Sequence, residues 1–242
     1  MNQDINTDIS SLSKDLSPQT APGVWESVLK QLPFSSGKIL NAGAGRGGLT
    51  KLLSKRGFDV VSLDLHPEHF KIPGMTCSYA DFNEPINLDS EQFDAVIAVE
   101  VIEHLESPWK FMREALRLTR TGGSLIVTTP NVINFPARLS FLRTAQLPYF
   151  RYESFAGCYH VTPIFPWAVE RWAETTGAKI EKITYSRANW PNRHDIPRYW
   201  ERRWITVIKQ MLPINMWFGE ISCFHIIKNS AKILVNPGVH YR

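Results

Sequence analysis

A chain of 242 residues, 43% hydrophobic and 21% charged, has ample apolar material for one large α/β domain and barely the length for two. Its 27 lysines and arginines against 23 acids leave a net charge of +4, too mild to call for a nucleic-acid partner. Three widely spaced cysteines, Cys77, Cys158 and Cys223, argue against a disulfide framework, and with no C-x-x-C pair and no H-E-x-x-H no metal site is expected.

Residues 1–22 are rich in Asn, Asp, Ser, Thr and Gln and lack both an apolar run and a basic leader, so they read as a flexible tail rather than a signal peptide. A cytoplasmic protein is expected, with residues 23–242 forming a single domain. Trp25, Val28, Leu29 and Leu32 share one helical face before Pro33. KILNAG follows as a short buried strand, then a helix through Leu49, Leu52 and Leu53 that Gly57 stops, then FDVVSLDL as a second strand ending at Asp64. FDAVIAVE is a further strand, and residues 106–120 read as a helix with Met112, Ala115 and Leu116 inward. SLIVTT, a helix and strand within AVERWAETTGAKIEKITYS, and finally ISCFHIIK complete the series. Helices alternating with apolar strands predict a doubly wound, largely parallel sheet covered on both faces.

Ligands of such sheets lie beyond the carboxyl ends of the strands. There the first strand breaks into NAGAGRGG. Gly43, Gly45 and Gly48 satisfy the G-x-G-x-x-G pattern of dinucleotide sites, while Gly43, Gly45 and Gly47 satisfy the G-x-G-x-G loop that cradles S-adenosylmethionine. Asp64 suits the ribose hydroxyls in either reading and does not discriminate. A tight turn without a ligand is the third reading. Downstream, Ala80-Asp81-Phe82 offers a carboxylate for an adenine amino group beside an aromatic ring, Glu100 ends the strand in VEVIEHL, and TGGSLIVTTPN closes the next.

In this order, from about Val24 to Lys228, the motifs resemble the class I S-adenosylmethionine-dependent methyltransferases, especially the small-molecule group that includes the quinone-biosynthesis enzymes. The resemblance implies a Rossmann-like, seven-stranded, mostly parallel sheet with its last strand antiparallel. It implies S-adenosylmethionine as cofactor and methyl transfer, on oxygen, to a small-molecule or lipid-linked acceptor. Gly43, Ala44 and Gly45 would hug the methionine and ribose, Asp64 with Leu65 beside it would meet the ribose, and Asp81 with Phe82 would face the adenine. Glu100 would lie near the methionine end. One departure is Asn41, which stands where the family usually carries an acid that helps hold the methionine amino group; Asn keeps an acceptor and loses the charge.

Histidine is the side chain suited to deprotonating a hydroxyl acceptor near neutral pH, and His104 in VIEHL and His160 in CYHVTPI resemble histidines of this family. The bland alternatives are a first-turn helix residue for His104 and a loop-anchoring hydrogen bond for His160. Residues 131–162 are long for a connection and read as a substrate lid, with Asn131 and Arg138 expected on the acceptor. The segment's aromatics and arginines suit an acceptor with a ring and an anionic group. In residues 197–213, Trp200, Trp204, Val207, Ile208 and Met211 form one helical stripe opposite Arg198, Arg202 and Lys209. That stripe suits a membrane surface, the sheet, or a homodimer contact. Two rival functions stand beside methyl transfer: an NAD(P)-dependent oxidoreductase or epimerase, which lacks a Y-x-x-x-K here, and a non-catalytic relative that only binds.

Overall fold

A computed structural model describes residues 2–18, 20–151, 159–186, 216 and 219–229. The seven strands run β1 (Gly37–Ala42), β2 (Phe58–Asp64), β3 (Cys77–Tyr79), β4 (Phe93–Val99), β5 (Thr119–Pro130), β6 (Ala178–Tyr185) and β7 (Ile221–Lys228). They form one sheet in the order β3-β2-β1-β4-β5-β7-β6. β1 to β5 pair in parallel, and β7 is antiparallel to both β5 and β6. The doubly wound sheet and its antiparallel last strand are as expected from the sequence. The order in which strands are added reverses at β1, with β2 and β3 laid on one side of it and β4 and β5 on the other, and a crevice opens at the carboxyl edge of the sheet there.

Side-chain alternation along the strands divides the core into two layers. Leu40, Val96, Ala98, Leu125, Val127, Phe224 and Ile226 face one side, with α4 (Pro108–Leu118) and α6 (Pro166–Thr176) packed on it. Ile39, Ala95, Ile97, Ile126 and Cys223 face the other, with α1 (Asn2–Ser10), α2 (Val24–Gln31) and α3 (Gly48–Lys55). The remaining helix, α5 (Phe135–Thr144), lies in the segment after β5 and is capped by Asn134, whose side chain accepts from Ala137 N–H at 2.8 Å.

The structure corrects the expectation of a loose N-terminal tail. Residues 2–10 are helical, a 3-10 turn follows at Lys14–Leu16, and Ile5, Leu12 and Leu16 are buried in the second core layer with Ile9 packed against it. These four residues are spaced 4, 3 and 4 apart, one face of a helix, and the polar residues between them masked the signal. Asp8 bonds Arg56 at 3.0 Å and Asp15 bonds Arg46 of the glycine loop at 3.2 Å, which ties the segment across the end of β1. The glycines after the loop answer to this packing. A Cβ on Gly48 would strike the Leu16 carbonyl and the Trp25 ring, and one on Gly47 would meet Phe70 and Ile72 at about 2.6 Å.

His104 also departs from expectation. It closes a 3-10 turn, Ile102–His104, and the helix proper starts later at Pro108, because proline fits the first helical position. Residues 197–213 lie outside the described residues.

Candidate active site

Two cavities open at the carboxyl edge, of about 580 and 490 Å³, and Gly43, Val99, Glu100 and His104 line both. They form one cleft over the ends of β1, β2 and β4. The smaller lobe is walled by Asp64, Leu65, Asp81, Phe82, Val101 and Leu105. Asp64 ends β2, and its two oxygens accept the N–H groups of Gly45 at 2.7 Å and His66 at 2.8 Å. Each carboxylate oxygen keeps a second lone pair for a ligand hydroxyl. Asp81 follows β3 and uses Oδ1 on the Asn83 N–H at 2.9 Å. Phe82 is buried, with its ring 5.1 Å from that of Phe111, so it forms the floor of the lobe and packs on the core beneath. Leu65 is exposed at the lobe's edge.

The larger lobe runs from Asn41, Gly43 and Ala44 under the N-terminal segment to Tyr149, His160 and Glu220. Asn41 is 1% exposed and its Nδ2 donates to Thr50 Oγ1 at 2.9 Å, which in turn bonds Ser62 Oγ at 2.8 Å. No described residue partners its Oδ1, an acceptor left to the cavity it lines. Glu100 is a non-glycine residue at φ 53°, in the left-handed region where strain collects at functional sites. Burial, with the Glu220 carboxylate adding to it, pushes the Glu100 carboxyl up to about 7, against the pull of the Thr20 hydroxyl. Glu103 behind it is fully buried and has no hydrogen-bond partner for either oxygen among the described residues. Burial and Glu100 hold it well above the usual carboxylate range, as a neutral acid.

The two candidate histidines meet. The His104 and His160 rings lie 4.7 Å apart edge to face, joined because Val161 and Thr162 donate their N–H groups to the Glu103 carbonyl at 2.9 and 3.0 Å. Glu103, His104 and His160 thus gather one carboxylate oxygen and two ring nitrogens within 4.8 Å of one another. His160 Nδ1 lies 3.1 Å from the Tyr149 carbonyl, which can only accept, so Nδ1 carries the proton and Nε2 is the basic nitrogen. Burial and the neighbouring His104 lower its pKa, against the pull of that bond, and leave the ring neutral at pH 7.

The acceptor candidates after β5 are not brought together with these groups. Asn131 is fully buried; its side chain donates to the carbonyls of Met216 and Gly219 at 2.8 and 2.9 Å and so clamps the chain entering β7. Arg138 donates back to the Ile133 carbonyl at 2.7 Å. Neither lines the cleft. Arg143 and Arg151 border a separate groove with Phe135 and Leu139. Sequence reasoning passed over Glu220, which lines the cleft just before β7. Its signal was available, because the start of an antiparallel last strand lies at the carboxyl edge of the others.

Residues 40–127 match the family described as "Methyltransferase domain", a span from β1 into β5 that holds the glycine loop, Asp64, Asp81 and Glu100. Over this span, about a third of its length, the chain is similar to the methyltransferases. It is 35% identical over 127 residues to the mitochondrial ubiquinone biosynthesis O-methyltransferase of Rattus norvegicus, covering 48% of this chain and 37% of that one. It is 31% identical over 108 residues to the ubiquinone biosynthesis O-methyltransferase of Cereibacter sphaeroides, covering 41% and 44%. The chain spans less than half the length of these relatives. Among solved structures, a SAM-dependent methyltransferase from Archaeoglobus fulgidus has the same fold, with a TM-score of 0.61 at 16% identity over 85% of this chain and 92% of that one. A possible histamine N-methyltransferase from Thermotoga maritima follows at a TM-score of 0.58 and 15% identity, covering 84% and 87%.

The cleft combines hydrogen-bond acceptors with apolar walls. The smaller lobe offers carboxylates and apolar walls, the larger offers an acceptor at Asn41 Oδ1 and the Glu100 carboxyl, and Gly43 at φ 77° leaves the crossing between them clear of a Cβ. The oxidoreductase reading is not favoured. No helix among the described residues is long and apolar enough to cross a membrane.

Proposed function

We propose that this methyltransferase transfers the methyl group of S-adenosylmethionine to an oxygen of a small-molecule acceptor. The observation that carries the reading is the single cleft whose nucleoside lobe runs past Gly43 and Glu100 to the paired imidazoles of His104 and His160. When bound, the cofactor supplies an electrophilic methyl carbon open to in-line displacement. The chain's own work is positioning. Asp64 accepts from the ribose hydroxyls, Asp81 from the adenine amino group, and Asn41 with Glu100 meets the amino-acid end. His160, neutral and with Nε2 basic, takes the acceptor's hydroxyl proton, and His104 packs its ring against that base.

Of the segment 131–162, the described residues 131–151 and 159–162 bring Tyr149 and His160 to the larger lobe, which suits a lid over the acceptor end. The names of the rat and Cereibacter relatives make a phenolic, quinone-type acceptor the first class to test, with a lipid-linked acceptor next. Membrane contact through residues 197–213, a homodimer and a cytoplasmic location belong to this proposal, and co-sedimentation with anionic liposomes tests the first of them. Calorimetric titration with S-adenosylhomocysteine and with NAD tests the whole. Binding of the first and silence with the second, followed by methyl transfer to catechol-type phenols, is expected. NAD binding with no response to S-adenosylhomocysteine would overturn it, and cofactor binding without transfer to any hydroxyl acceptor would leave a binding protein.

A further inference from the structure

The larger lobe of the cleft carries more negative charge than its glycine loop accounts for. Glu100 follows β4, and its N–H bonds the Thr128 carbonyl of β5 at 3.2 Å. Glu220 precedes β7, and its carbonyl accepts the Asn131 N–H at 2.7 Å just past the end of β5. The two carboxylates therefore flank the tip of β5, and both line the same lobe as Asn41. Neither has a cationic partner among the described residues, and Arg46 on that lobe is engaged with Asp15. Tyr149 borders the pair, and burial with these two carboxylates beside it raises its hydroxyl to about 12, so it stays a neutral phenol and adds no charge of its own. Asn41, nearly fully buried, presents an unpartnered Oδ1 to the same space. An unpartnered acceptor and two uncompensated carboxylates around one cavity call for a cation with several N–H donors.

We propose that Glu100 and Glu220 are positioning residues for the cofactor's ammonium group, supplying from β4 and β7 the charge that Asn41 on β1 does not carry. The inference rests on the cofactor reading above. An ammonium has three donors, and Asn41 Oδ1 with one oxygen from each glutamate gives three acceptors. The arrangement also explains why a neutral amide is tolerated on β1. A third carboxylate in the same lobe would add a further like charge beside Glu220 and a Glu100 whose ionised form burial already disfavours.

The test compares S-adenosylhomocysteine, which has the ammonium, with 5′-methylthioadenosine, which lacks the amino-acid end. In Glu220→Gln, S-adenosylhomocysteine should bind roughly ten- to hundredfold more weakly while 5′-methylthioadenosine binds unchanged. Adding Asn41→Asp to Glu220→Gln should recover most of the loss. The new carboxylate can be received on β1 if Thr50 donates to it and Ser62 donates to Thr50, a reversal of the present chain of bonds. Equal affinity of wild type and Glu220→Gln for S-adenosylhomocysteine would overturn the inference, as would parallel losses for both ligands, which mark a structural role. A wild-type protein that binds neither ligand would overturn the cofactor reading itself.

Discussion

Asp64 Oδ2 accepts the N–H of Gly45 at 2.7 Å, so the carboxylate at the end of β2 and the glycine loop after β1 are locked to each other before any ligand arrives. A second bond, from the His66 N–H to Oδ1, fixes the carboxylate plane. Asp64→Ala should therefore weaken S-adenosylhomocysteine by roughly ten- to hundredfold in calorimetry, by removing the charged acceptor proposed for the ribose. Unchanged affinity would remove Asp64 from the site.

Burying the N-terminal segment has a cost that can be measured. Ile5 is 2% exposed in the layer formed with Trp25, Leu49 and Leu53. Ile5→Ala should lower unfolding free energy by about 2–4 kcal/mol in urea melts. A loose tail would show less than about 0.5 kcal/mol, the ordinary effect of a surface change.

Gly48→Ala attacks the same contact from the other side. Its Cβ would overlap the Leu16 carbonyl and come within 2.6 Å of Trp25, and backbone cannot yield as a flexible side chain can. The expected outcome is a destabilisation of about 1–3 kcal/mol together with new protease cleavage before residue 22. Cleavage elsewhere, or none, would show that the segment does not rest on the loop.

Glu100 gives the protein a pH dependence of definite sign. Its folded value, about 7, lies above the usual value of 4.5, so the folded state holds the proton more tightly than the unfolded one. Stability contributed by this group is complete below pH 4.5 and is lost as pH rises through 7. The Tm of the free protein should fall between pH 5 and 8, and Glu100→Gln should flatten part of that fall. Cofactor binding should show the opposite trend, since an ammonium pairs with the ionised carboxylate, and affinity for S-adenosylhomocysteine should rise from pH 6 to 8. A slope in Tm unchanged by Glu100→Gln would assign it elsewhere.

His160→Asn keeps a donor for the Tyr149 carbonyl and removes the basic nitrogen. It should cut kcat roughly a hundredfold with a hydroxyl acceptor while leaving S-adenosylhomocysteine affinity unchanged. Equal kcat would leave His160 as a loop anchor.

The sequence by itself determined the sheet and which carboxylates stand at its carboxyl edge. Strand termini are local features, so a carboxylate that ends an apolar run, as Asp64 does, or follows one closely, as Asp81 and Glu100 do, is placed at the carboxyl edge by hydrophobic periodicity alone. The contacts that cross the chain were decided only by tertiary structure. The burial of Ile5 and Leu16 depends on the core layer they join with Trp25, Leu49 and Leu53, residues that no local pattern brings to them. The meeting of His104 with His160, 56 residues apart, depends on two N–H bonds to the Glu103 carbonyl. Asn131, polar and at the end of a strand, had the local look of a site residue, yet its amide is spent on the carbonyls of Met216 and Gly219, partners 85 and 88 positions away. Glu220 became visible for the same reason in reverse: an antiparallel β7 carries the residue before its first position to the edge where the parallel strands end. Periodicity reports which face of an element is buried, and only the packed chain reports what each buried polar group finds there.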